Sequence, residues 1–354
     1  MKILFLCKRR PQGRDLLSCP YGRFFHLPHQ LSKMGHDVHV AVMSHQALPN
    51  TTYEKHGITW HGSDIVRVGP IGYWTKLCAL STEFQPDWII GCSDIYYGIL
   101  ATRLARRAKC RAAIDAYDNF ESYLPWCRPL HQLWRRAVTT ADLVTAAGPQ
   151  LAMRLAAHRV GADVHVLPMA ADPHFQPLSR DESARKIGLD PAQRFFGVVG
   201  SLDVRRGKNI FLEACRLLRR GGVTSTLVLS GRGQTRRENI SGTLRIRPLS
   251  DAEVPLLINC LDVACVPGAN NAFGNFSYPA KLYEAMACQV PIVAAATLPA
   301  QWILQEDSRF LVPVGNPAAL AERIVSNLEI GRVVYPPKPT WQELTQRLDG
   351  WLRA

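Results

Sequence analysis

The chain opens with a strand, a helix, a glycine and a second strand. Lys2 to Cys7 is short and apolar and reads as a buried strand. A polar loop with Gly13 and Gly22 follows, and then Phe24, Leu27, Leu31 and Met34 recur at helical spacing. Gly35 ends that helix, and Asp37 to Met43 is the next strand. Such a βαβ unit implies a parallel sheet with helices on its faces. The pattern recurs. Trp88 to Gly91, Ala112 to Ala116, Leu143 to Ala147 and Val164 to Leu167 read as strands. Ile95 to Arg107, Leu133 to Thr140 and Gln150 to His158 read as the helices between them.

Residues 168–194 are richer in Pro, Asp and Arg and read as a connector. A second series then begins. Its strands are Phe195 to Gly200, Thr226 to Ser230, Val263 to Val266 and Pro291 to Ala295. Its helices are Ile210 to Arg219, Ala252 to Cys260, Pro279 to Cys288 and Ala318 to Leu328. A last helix, Trp341 to Leu352, carries Trp341, Leu344, Leu348, Trp351 and Leu352 on one face. The expected architecture is α/β, two tandem Rossmann-like doubly wound domains with a cleft between them. The boundaries fall at 1–170, 171–336 and 337–354.

Composition narrows the class. At 354 residues the length suits two domains, and 47 % hydrophobic with 20 % charged residues excludes a disordered chain. No stretch approaches the roughly 18 apolar residues of a membrane span. The start, MKILFLCKRR, has the wrong length and order for a secretory signal, so a cytoplasmic protein is expected. Ten cysteines form no C-x-x-C pair and no zinc-type cluster, and read as reduced, mostly buried thiols. The 42 Lys and Arg against 29 Asp and Glu give +13, which suggests an anionic partner: nucleic acid, anionic lipid or a phosphorylated substrate.

Two segments carry the chemistry. In VVGSLDVRRGKNIFLEA a strand ends at Gly200, a loop carries Arg205, Arg206 and Lys208, and a helix begins near Asn209. Cations beside a helix start suit a diphosphate, although solvated basic loops look the same. In NAFGNFSYPAKLYEAMACQVPIVAA, Pro279 suits the first helical position and Ser277 could cap the amides beyond it. Lys281 and Glu284 follow at i and i+3 near that end, either as a surface ion pair or as ligands for phosphate and sugar hydroxyls.

These blocks, with LVLSGRG and LRIRPLSDAEVPLLINCLDVACVPG between them, resemble the C-terminal domain of family 4 glycosyltransferases. HLPHQLSKMGHDVHVAV, PDWIIGCSDIYYGILATRLARR and VHVLPMAADPHFQP resemble their N-terminal half. The resemblance covers nearly the whole chain. It implies a GT-B fold and a retaining transfer from a nucleotide-sugar without a metal or other cofactor. Carried over, Arg206 with Arg205 meets the donor diphosphate, as do the amides from Ser277 to Ala280, and Lys281 is expected to bind the donor beside them. Glu284 takes the nucleotide ribose. Gly231 and Gly233 shape the nucleotide pocket, Arg247, Pro248 and Leu249 lie at its base, and Gly200 and Ser201 are expected to bind the donor. Asn271 to Asn275 line the sugar, and the last helix crosses back to the first domain.

The chain departs from that pattern in three places. Phe276 stands where the family has a glutamate eight residues before Glu284. Ser201 stands for the usual arginine. The acceptor-side histidine is replaced by DAYDNFESY, where Asp118 is the best catalytic substitute and also suits a loop turn. In the implied chemistry the leaving phosphate takes the acceptor's proton, while arginines and helix-start amides stabilise its charge. No spaced carboxylate pair supports hydrolysis.

The first 163 residues hold 20 Lys and Arg against 12 Asp and Glu, a net of +8. YLPWCRPLHQLWRRAV interleaves Trp126, Leu130, Leu133 and Trp134 with Arg128, Arg135 and Arg136. That mixture suits an interfacial segment on anionic lipid as well as an ordinary helix with a basic outer face. A lipid-linked or glycan acceptor, and peripheral attachment to the inner face of the membrane, are therefore expected. Two alternatives share the fold: a non-catalytic nucleotide-sugar-binding subunit and a nucleotide-sugar epimerase. No nucleic-acid-binding motif is recognisable.

Overall fold

The computed structural model describes residues 1–159, 161–231, 240–247 and 249–354. They form two compact units, Met1–Ala170 with Pro339–Ala354, and Ala171–Lys338.

The first unit runs β1 (Lys2–Lys8), α1 (Arg23–Lys33), β2 (Asp37–Ser44), β3 (Thr51–Lys55), β4 (Ile58–Asp64), α2 (Ile65–Phe84), β5 (Trp88–Cys92), α3 (Ile95–Ala108), β6 (Arg111–Ala116), α4 (Arg128–Thr140), β7 (Leu143–Ala146), α5 (Pro149–Ala156) and β8 (His165–Val166). The second runs α6 (Arg180–Lys186), β9 (Phe195–Val199), α7 (Lys208–Arg220), β10 (Thr226–Ser230), β11 (Thr243–Ile246), α8 (Glu253–Cys260), β12 (Val263–Val266), α9 (Ala280–Ala287), β13 (Ile292–Ala295), α10 (Leu298–Ile303), β14 (Leu311–Val312) and α11 (Pro317–Asn327). The closing α12 (Trp341–Arg353) packs in the first unit.

The sheet of the first unit has the order β3-β4-β2-β1-β5-β6-β7-β8. Its pairs are parallel except β3 against β4, an edge hairpin whose Glu54 and Lys55 are exposed. Alternation along β1 splits the core. Ile3, Phe5 and Cys7 face Leu27 and Leu31 of α1 and Leu344 and Leu348 of α12. Leu4 and Leu6 face Leu77 of α2 and Leu104 of α3 on the other side. The second unit's sheet is parallel, in the order β11-β10-β9-β12-β13-β14. Its core packs Phe196 and Val198 against Phe211 of α7 and Ile324 of α11.

Two differences from the sequence reading have local causes. Between β2 and β5 the chain forms β3, β4 and α2, where no element is evident from pattern. α2 is broken at Gly69 (φ 68°) ahead of Pro70, which scrambles its helical period. The connector holds a short helix, α6, capped by the Ser179 side chain on the Glu182 N–H.

A buried ion pair joins α1 to β6. Arg23 Nε and Nη2 donate to the two oxygens of Asp115 at 2.6 and 2.5 Å. Arg23 Nη1 donates to the Pro168 carbonyl at 2.8 Å, and the Thr145 hydroxyl donates to Asp115 at 2.6 Å. At its far end α12 is held by His36 against Asp349 at 2.7 Å and by the Trp88 indole N–H donating to the Leu352 carbonyl at 3.0 Å.

Candidate active site

The site lies in the second unit, where the loops after β9 and β12 meet the start of α9. Gly200 follows β9, and its N–H donates to the Ser230 carbonyl at 2.7 Å. Gly231 crosses this point with φ 135°, and a Cβ there would lie 2.4 Å from the Gly200 oxygen, so no side chain fits. Ser201, Arg205 and Arg206 come from the loop after β9, Phe273 and Ser277 from the loop before α9, and Lys281 from α9 itself. Together they line a concave space of about 70 Å³. No carboxylate lines it among the described residues.

Asp203 accepts from the Arg206 backbone N–H at 3.2 Å and pairs with the Arg206 guanidinium. The guanidinium carbons of Arg205 and Arg206 lie 5.7 and 4.9 Å from the Phe273 ring centre. Lys281 Nζ donates to the Ser201 carbonyl at 2.7 Å. Burial lowers the Lys281 pKa to about 8, and Arg206 adds to the lowering while Glu284 and Asp203 oppose it. Three cations therefore converge on one small space.

The start of α9 corrects one expectation. Pro279 is the residue before the helix (φ −69°, ψ 119°), not its first, and this N-cap makes no side-chain cap hydrogen bond, so Ser277 is not the cap. The proline ring satisfies the φ of either position, but ψ at Pro279 is still extended. Helix starts leave their first amides without intrahelical acceptors, and α9 begins at the wall of this space.

The other expected residues lie around or outside it. Glu284 is half-buried one turn further along α9 and does not line the space. The Asn275 side-chain amide donates to Asn270 Oδ1 at 2.7 Å. Arg247 is exposed and pairs with Glu253 at the start of α8, and with Ser250 it draws Glu253 down to about 2. Leu249 is half-buried in the turn after β11. Gly233 and Pro248 lie outside the described residues. Asp118 belongs to the first unit, in the loop after β6, where it is 7 % exposed and accepts from the Tyr123 hydroxyl at 2.5 Å. Burial, and then the Asp118 carboxylate, push Tyr123 far above the usual phenol range. Nearby Glu121 is held below the usual carboxylate range: burial opposes this, and hydrogen bonds from Arg135 and Arg154 outweigh it.

Two contacts at the site carry no sequence signal, although Phe273 falls inside the 271–275 stretch that the resemblance assigns to the sugar. Asp203 is one of many loop acids, and Phe273 meets the arginines only because β9 and β12 are neighbours in the sheet.

The lysine gives a test. Affinity for inorganic pyrophosphate, measured by calorimetry, is expected to fall as pH rises through about 8, where Lys281 loses its proton. Lys281→Arg keeps its charge across this range and should flatten the profile. Identical profiles in both proteins would remove Lys281 from the site.

The fold and this site define the GT-B class of two-unit enzymes. The family description "Glycosyl transferase 4-like domain" matches residues 23–170, and "Glycosyl transferases group 1" matches residues 193–329. The chain belongs to the family 4 glycosyltransferases. No curated protein sequence matches it. Among solved structures, it is similar to sucrose-phosphate synthase from Thermosynechococcus elongatus at 15 % identity, covering 100 % of this chain and 94 % of that one with a TM-score of 0.75. Anabaena HepE in complex with UDP is 17 % identical, with 100 % of both chains covered and a TM-score of 0.71. UDP-GlcNAc 2-epimerase from Methanocaldococcus jannaschii is 13 % identical, with 100 % of both covered and a TM-score of 0.63.

Proposed function

We propose that this glycosyltransferase moves a sugar from a nucleotide-sugar to a glycan or lipid-linked acceptor, with retention at the anomeric carbon and without a metal, in polysaccharide or glycolipid biosynthesis. The observation that carries the reading is the convergence of Arg205, Arg206 and Lys281 on a space at the start of α9 that no carboxylate lines among the described residues. Cations and free helix-start amides together suit a diphosphate. The similar HepE structures hold UDP or UDP-glucose, which supports the same donor class here.

In the proposed step the acceptor oxygen bonds to the anomeric carbon as the bond from that carbon to the diphosphate oxygen breaks. The acceptor's proton passes to the leaving diphosphate. Arg205, Arg206, Lys281 and the first amides of α9 hold the negative charge that develops there. Glu284 accepts hydrogen bonds from the ribose hydroxyls, and Asp118 serves the acceptor side.

A thermal-shift screen of nucleoside diphosphates and nucleotide-sugars tests the donor site. One of them is expected to stabilise the protein, and Glu284→Ala is expected to lose most of that stabilisation. No stabilisation by any nucleotide would sink the reading. Transfer or donor hydrolysis by the stabilised protein separates an enzyme from a binding subunit.

The first unit offers a surface for an anionic lipid bilayer. Trp126 is 76 % exposed, with Leu133, Arg128 and Arg136 exposed beside it. Trp134 instead turns inward against Phe120, 5.4 Å between ring centres. Arg103, Arg106 and Arg107 of α3, which packs against α4, are exposed as well. Among the described residues no helix is long and apolar enough to cross a membrane, so attachment through this face would be peripheral. The protein is expected to pellet with phosphatidylglycerol vesicles at low salt and to be released at high salt, and Trp126→Ala should weaken the binding. Recovery in the supernatant at low salt would count against it.

A further inference from the structure

The two loops of the site are tied together by one asparagine. Asn271 Nδ2 donates to the Arg205 carbonyl at 3.0 Å. Its Oδ1 accepts from the N–H groups of Phe273 and Gly274 at 2.9 and 2.8 Å. One amide thus fixes the backbone of Arg205 and turns the chain that carries Phe273. The loops also touch through their backbones, since a Cβ on Gly207 would lie 2.5 Å from the Gly268 oxygen.

Phe273 is 7 % exposed, and both guanidinium groups lie over its ring. Adjacent arginines repel each other, and on a free loop they would spread into solvent. A ring face attracts cations and gives the pair a common seat, most effectively where water is excluded. Asp203 adds a third restraint, on Arg206 alone.

We propose that Asn271 and Phe273 form a clamp that seats the Arg205 and Arg206 pair before any anion arrives. They are positioning residues: they act on the donor diphosphate through the arginines. This rests on the donor site proposed above. The clamp removes part of the ordering cost that a diphosphate would otherwise bear on binding. A bound diphosphate then draws Arg206 from Asp203, while Phe273 keeps it in place.

The test is pyrophosphate binding by calorimetry on the full chain, with melting temperatures recorded in parallel. Phe273→Leu fills similar space without a ring face and is expected to weaken binding about three- to tenfold. Phe273→Tyr should restore it. Asn271→Ala should weaken it too, and provides a second route should Phe273→Leu fold poorly. In an Arg205→Ala, Arg206→Ala background, Phe273→Leu is expected to have no further effect. Wild-type affinity in both Phe273→Leu and Asn271→Ala would overturn the clamp, as would an undiminished Phe273→Leu effect without the arginines. Absence of pyrophosphate binding by the wild type would instead overturn the donor site itself.

Discussion

Asp115→Ala should lower the melting temperature of the first unit by about 6 to 20 °C. The Arg23 side chain is 1 % exposed and that of Asp115 5 %, so removing the carboxylate strands a buried guanidinium. Breaking such a pair costs about 3 to 5 kcal/mol, and at this size each kcal/mol moves the midpoint by roughly 2 to 4 °C. The bond from Arg23 to the Pro168 carbonyl remains but cannot neutralise the charge. Replacing both partners, as Arg23→Met with Asp115→Ala, should recover much of the loss, because a neutral pair is cheaper to bury than one uncompensated ion. Calorimetry resolves this, with the two units read as separate transitions where they separate. A double variant as unstable as Asp115→Ala alone would show that the loss comes from packing and not from charge.

The second large effect is on catalysis. Arg205→Ala with Arg206→Ala should lower kcat about 100- to 1000-fold, the scale of losing donors aimed at developing charge. The fall should be greater in kcat than in 1/KM, because the diphosphate gains charge as its bond to the sugar breaks. Arg206→Lys should recover only part, since an ammonium lacks the planar fork that meets two phosphate oxygens. Single-turnover rates with a labelled nucleotide-sugar provide the measurement. A rise in KM at constant kcat would mean that the pair binds the donor without assisting its departure.

The legible parts of the chain are those where local pattern and tertiary packing agree. β10 and β12 span the residues expected, Thr226 to Ser230 and Val263 to Val266, because a buried parallel strand is apolar throughout. α12 begins at Trp341 as expected, with a capping box formed by Thr340 and Glu343. β3 and β11 escape notice because their residues are mixed and neither strand is fully buried. α10 is six residues long, too short to show a period. At the site, the arginines, Lys281 and the start of α9 announce themselves by residue type. Phe273 does not, since its role depends on which strands are neighbours. Arg247 is placed at the base of the pocket by the resemblance alone, and the fold gives it Glu253 as a partner.

The packing of α12 has a consequence for the order of folding. The second unit is continuous in sequence, so its core is complete once Lys338 is made. The first unit is not: Trp341, Leu344, Leu348 and Leu352 belong to the same buried cluster as Ile3, Phe5 and Val40. During synthesis the earlier-made part therefore waits, with one face of its sheet short of cover, until the later-made unit has emerged. A ribosome that stalls within the second unit leaves that face exposed. Chaperones and proteases would meet the nascent chain there first.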